Sequence, residues 1–224
     1  MNRPRRLFSV LLALTVFAIA AESVPLRQHG DAAMVDAAFR AALRGLSAEP
    51  ALKSAAVVVS RLTGEGLAVF VVAAVAGLLL ARRRFEAATV ALGTLSAWMA
   101  SGLLKLVYGV PRPRARYPLD PFASYGFPSG HAMVTVVACG LIAWAIGRHT
   151  TRGTRAALVV AVAIISVVSG AARMLLDAHW LRDVVAGLAL GTVWVNAIVT
   201  FVGDRTAATP GTPAPATERA LEAR

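Results

Sequence analysis

Three short clusters in this 224-residue chain carry side chains suited to one chemistry. Lys105 is separated by six residues from Arg112-Pro113; Pro128-Ser129-Gly130-His131 follows; Arg173 then precedes His179 by five intervening residues, and His179 precedes Asp183 by three. A phosphoryl group in transfer carries charge on three equatorial oxygens, so its catalysis is chiefly positioning and electrostatic stabilisation. Lys105, Arg112 and Arg173 offer three cations, two of them guanidinium forks that match phosphate oxygens. Ser129 and Gly130 stand where a helix is expected to begin, and its free N–H groups and positive dipole end make a further anion cradle. His179 and Asp183, at i and i+4, would share one helix face. Asp183 can then fix the imidazole tautomer and leave the other nitrogen free to attack phosphorus. His131 is placed to protonate the departing alkoxide, after which water would hydrolyse a phosphohistidine. No His, Cys or carboxylate set has metal-ligand spacing, so a metal-independent reaction without a cofactor is expected.

Each cluster has a plainer explanation. Lysine and arginine at helix ends often snorkel to lipid headgroups, Pro-Ser-Gly is an ordinary helix start, and a helical His-x-x-x-Asp is commonly an interfacial hydrogen bond. None of these explanations calls for all three clusters at one depth on one side.

The elements that must position them are apolar. Hydrophobic residues make up 57% of the chain and charged ones only 16%, with mean hydropathy +0.65, where a soluble domain carries about a quarter charged residues. Residues 7–21, 67–81, 87–104, 132–147, 156–172 and 184–202 hold no charge and approach the length that crosses a bilayer. The expected fold is all-α: a polytopic bundle of six transmembrane helices, with the site at its outer face. The net charge of +11 lies in the loops between spans, which argues for a bilayer partner and against nucleic acid. The single cysteine, Cys139, falls inside a span and reads as a packing residue.

Arg3, Arg5 and Arg6, then Arg82, Arg83 and Arg84, then Arg148, Arg152 and Arg155 mark the cytoplasmic side, although basic residues divide 12 to 11 between the two sides. The clustering at short loops decides the orientation, which places the three motifs outside, facing the periplasm or extracellular space from the cell (inner) membrane. Residues 1–24 form the first span; Arg3–Arg6, the short apolar run and Ala18-Ile19-Ala20 also resemble a cleavable signal, and an uncleaved helix is expected. Residues 25–60 form an external loop, within which Val35, Phe39, Leu43 and Leu46 recur at helical spacing. That amphipathic helix could be a lid or lipid-entry element; the simpler expectation is a connecting helix packed on the bundle. Residues 61–203 form the helical core, and 204–224, rich in Thr, Pro and Ala, a disordered cytoplasmic tail.

The three segments resemble the tripartite signature of the type 2 phosphatidic acid phosphatase superfamily, which also includes bacterial acid phosphatases and vanadium haloperoxidases. By motif the resemblance covers residues 105–183, and by arrangement of spans 60–202. It implies for Lys105, Arg112, Ser129, Gly130, His131, Arg173, His179 and Asp183 the roles deduced above. One departure is that Ala172 stands where the family commonly has serine. The compact six-span form is similar to bacterial phosphatases of undecaprenyl diphosphate, phosphatidylglycerol phosphate or phosphatidic acid, so a lipid phosphate is the expected substrate. Arg114, Arg116 and Tyr117 could hold a second phosphate, or equally face headgroups. The alternatives are a lipid phosphotransferase on the same site and a non-catalytic lipid-binding or transport protein. Oligomeric state stays open.

Overall fold

The computed structural model describes residues 3–22, 31–113 and 125–207. These residues fold into eight α-helices with no strand among them: α1 (Arg3–Glu22), α2 (Asp31–Ala48), α3 (Pro50–Leu62), α4 (Glu65–Leu80), α5 (Arg84–Tyr108), α6 (Gly130–Gly147), α7 (Arg152–Leu175) and α8 (Leu181–Ala207). Arg114, Arg116, Tyr117 and most of the expected tail lie outside the described residues.

Among the described residues, five stretches are long and apolar enough to cross a membrane: Pro50–Leu80, Arg84–Tyr108, Gly130–Gly147, Arg152–Leu175 and Leu181–Val202. The apolar part of α1, Leu7–Glu22, is shorter than these five. The second span begins well before residue 67, where charge-free sequence alone would start it. Pro50 occupies the first turn of α3, where its missing N–H leaves nothing unsatisfied, and the helical path runs on to Leu80 with one break at Thr63-Gly64. Arg61 and Glu65 bracket that break and hide the continuity from a search for uncharged runs.

Helix α6 is apolar all round, as a central helix must be. Its Met133, Val137, Leu141, Ile142 and Ala145 pack with Val90 and Ala97 of α5 and Val199 of α8. The α6–α8 contact is close enough to require glycine: a Cβ on Gly187 would stand 2.5 Å from the Ser129 carbonyl oxygen. At the motif-bearing end, Phe127 is fully buried beneath α1, with its ring 6.1 Å from Phe17 and 4.9 Å from Tyr108. Helix α1 therefore covers the segment that leads into Ser129.

Helix α2 packs on the bundle, and of its apolar stripe only Leu43 is half-buried. Val35, Phe39 and Leu46 are exposed, while Asp36 is buried and Arg40 half-buried. The charged face of α2 is the one turned toward α7 and α8.

Candidate active site

Three helix ends carry the predicted residues to one place. Lys105 lies in the last turn of α5, which closes on Gly109, a left-handed residue whose N–H bonds the Lys105 carbonyl. Arg112 follows in the extended segment beyond. Ser129 caps α6: its hydroxyl accepts from the Ala132 N–H at 3.5 Å, and its own N–H donates to the Asp183 carbonyl at 2.8 Å. The start of α6 is thus tied to the start of α8. Around Gly130, a Cβ would meet Ser101 Oγ at 3.0 Å and Lys105 Nζ at 3.4 Å, so the lysine reaches the N-terminus of α6. Around Gly126, the same construction meets Asp183 Oδ2 at 2.8 Å and Arg112 Cγ at 3.5 Å.

His179 and Asp183 meet, but not as two residues on one helix face. His179 lies in the α7–α8 connection, and α8 starts at Leu181. Asp183 is in its first turn and reaches back, accepting from the Trp180 N–H at 3.0 Å in the manner of a capping box. The same Oδ2 faces His179 Nδ1 at 3.4 Å. The spacing of four is therefore satisfied through a helix cap. Both side chains are almost wholly buried. Burial first, then the charges of Arg112, Arg173 and Lys105, hold the His179 imidazole well below its usual pKa of 6.5, against a hydrogen bond with the Gly126 backbone.

His131, in the first turn of α6, lies within electrostatic range of Arg173, His179, Lys105 and Arg112. It also sits against the α3–α4 break, where a Cβ on Gly64 would approach its Nε2 to 2.9 Å. Arg173 is buried in the last turn of α7, and its Nη1 donates to Ser60 Oγ at 2.8 Å. Ala172 beside it is packed with Ala56 and Leu176 in an apolar contact between α3 and the end of α7. All eight predicted residues thus gather at one end of the bundle. Ser60 and Gly64 are additions, missed because they lie on the segment read as a loop and its junction with the second span.

The site opens into a groove of about 1400 Å³ between α4 and α5. Lys105, Arg112, Gly130 and His131 line its polar end, and Leu67, Val75 and Leu79 of α4 face Leu95, Trp98 and Leu106 of α5 along its apolar length. Among the described residues, no three His, Cys, Asp or Glu side chains converge as a metal-binding group. The arrangement can seat an anionic headgroup at one end and an apolar chain along the rest.

No curated protein matches the chain. A crystal structure of a transmembrane PAP2-type phosphatidylglycerolphosphate phosphatase from Bacillus subtilis is similar in fold, with a TM-score of 0.76 at 21% identity, covering 92% of this chain and 100% of that one. The family model of the PAP2 superfamily matches residues 86–207, more than half of the sequence, a stretch that contains all eight site residues. This membrane protein belongs to the PAP2 superfamily.

Proposed function

We propose that the protein is a membrane lipid phosphatase that works through a phosphohistidine. The observation that carries this reading is the union of a tricationic headgroup site with an apolar groove between α4 and α5. A soluble phosphate ester has no use for such a groove, whereas a lipid phosphate fits both halves.

In the first step, His179 attacks phosphorus. Its Nδ1 faces Asp183, so Nε2 is the nitrogen left for the attack. The Nε2–P bond forms as the bond from phosphorus to the lipid oxygen breaks, and His131 delivers a proton to that oxygen. Lys105, Arg112 and Arg173 balance the charge on the equatorial oxygens, with the N–H groups at Ser129 and Gly130. Water then attacks the phosphohistidine while His131 takes its proton, which returns His131 to its protonated form and His179 to the neutral imidazole and releases inorganic phosphate. Three fixed cations supply the neutralisation that a metal ion provides in other phosphoryl-transfer sites, so the reaction is proposed to need none.

Phosphatidylglycerol phosphate is the first substrate to test, with phosphatidic acid and undecaprenyl diphosphate beside it. The site is proposed to face the periplasm or extracellular side, on the strength of the arginines at the short loops of the opposite end. Purified protein in detergent is expected to release phosphate from at least one of these lipids in the presence of a chelator, with inhibition by vanadate. Full activity in His179→Ala would refute the nucleophile.

A further inference from the structure

The segment that carries His179 is fastened from outside by α2. It begins at the end of α7, where the Asp177 N–H donates to the Met174 carbonyl at 3.0 Å and the Ala178 N–H to the Arg173 carbonyl at 2.9 Å. These are the paired closing bonds of a Schellman-type helix end, whose left-handed position usually falls to glycine. Here Asp177 occupies it, with φ +54°. A side chain in that conformation works against the backbone preference of L-residues, and this one is engaged. Its Oδ1 accepts from Arg40 Nε at 2.9 Å.

The second fastening lies one helical turn earlier on α2. Asp36, only 4% exposed, accepts from the Arg182 N–H at 3.3 Å and pairs with Arg182 Nε at 3.1 Å. Between the two ion pairs stands the Trp180 ring, with the Arg40 guanidinium 5.2 Å and the Arg182 guanidinium 5.8 Å from its centroid. Asp36 and Arg40, at i and i+4, thus grip residues 177 and 182, and His179 is held between them. Helix α2 precedes the stretch that the family model matches.

We propose that Asp36 and Arg40 are positioning residues that hold His179 in line with Asp183 by pinning both ends of the 177–182 segment to α2. The inference rests on His179 acting as the nucleophile. An attacking nitrogen displaced by a fraction of an ångström loses rate without losing substrate, because the headgroup cations stand on α5, α7 and the segment after α5.

The test compares Arg40→Gln, Asp36→Asn and Asp36→Glu with the parent and with His179→Gln. Phosphate release from a short-chain phosphatidylglycerol phosphate in detergent gives kcat and KM, acid quenching gives the phosphoenzyme level, and thermal unfolding is measured in the same detergent. Arg40→Gln and Asp36→Asn are expected to lower kcat between about tenfold and a hundredfold with KM held within about twofold, and Asp36→Glu to recover most of the loss. If Asp36→Asn does not fold, Arg40→Gln decides alone, since Arg40 is half-buried and buried Asp36 keeps its partner Arg182 in that variant. An unchanged kcat in folded Arg40→Gln, or a raised KM at full kcat, overturns the clamp while an inactive His179→Gln leaves the nucleophile in place. Full activity in His179→Gln overturns the nucleophile reading itself.

Discussion

Arg173 Nη1 donates to the Ser60 hydroxyl across 2.8 Å, so a cation of the site is held by a helix that precedes the family's matched region. Ser169, one turn before Arg173, continues the contact, donating to Thr63 Oγ1 at 3.0 Å. Helices α3 and α7 are thus joined by hydroxyls next to the site and by Ala56, Ala172 and Leu176 alongside. Removing the Ser60 hydroxyl leaves a buried guanidinium short of one acceptor. Ser60→Ala is expected to lower kcat/KM roughly five- to twentyfold, the equivalent of about 1 to 2 kcal/mol, with a larger share in kcat. Steady-state kinetics on a lipid phosphate checks this; an unchanged kcat/KM means that Arg173 is positioned without Ser60.

The electrostatics of His179 set the direction of its pH dependence. Attack requires the neutral imidazole, and burial with Arg112, Arg173 and Lys105 holds its pKa well below 6.5. With His179 as the proposed nucleophile, the acid limb that it imposes on kcat/KM is expected to lie below pH 6.5. Withdrawing one cation relaxes the depression. Arg112→Gln is expected to move the limb upward, apart from its effect on rate. A limb that stays put or moves down would contradict the assignment.

Gly64 guards the position of His131. A methyl at residue 64 would stand 2.9 Å from His131 Nε2 and 3.0 Å from the Ser60 carbonyl oxygen, so the imidazole must move. Gly64→Ala is expected to cost at least about tenfold in kcat on an alkyl phosphate, a part of the roughly 10²–10⁴-fold that general acid catalysis contributes. An aryl phosphate, whose leaving group needs little protonation, should lose far less. Equal losses on the two substrates would show that His131 does not act as the acid.

The groove can be tested by filling it. Gly102 lines it, and a Cβ there meets no atom within 4 Å. Gly102→Trp should therefore fold and occupy the apolar path. KM for a long-chain lipid phosphate is expected to rise about tenfold, as for the loss of about 1.4 kcal/mol of binding, while a water-soluble aryl phosphate is unaffected. Parallel KM measurements decide it, and an equal effect on both would move the chain out of the α4–α5 groove.

The proposed chemistry was legible from side-chain type and order because catalysis at phosphate needs cations, imidazoles and a helix start in fixed supply. Lys105, Arg112, Ser129, Gly130, His131, Arg173, His179 and Asp183 could be named before any fold, and the long uncharged runs identified a membrane bundle. The second span was harder to delimit, because Arg61 and Glu65 interrupt the path from Pro50 to Leu80 at the break beside His131. The apolar periodicity of α2 gave a helix, yet which face it turns inward depends on what the neighbouring helices offer. They offer Asp177 and Arg182, so Asp36 and Arg40 go in and Val35 and Phe39 stay out.

For the proposed nucleophile, the sequence alone determined that an imidazole and a carboxylate stand four residues apart, a distance short enough for local backbone to bring them together. Only the tertiary structure decided how. Helix α8 begins between them, so Asp183 reaches His179 by capping its own helix at Trp180. The partners that fix Arg173, His131 and the His179 segment come from Ser60, Gly64, Asp36 and Arg40, remote in sequence. Contacts between distant segments carry no signature in local spacing, because they are set by which helix faces meet when the bundle closes.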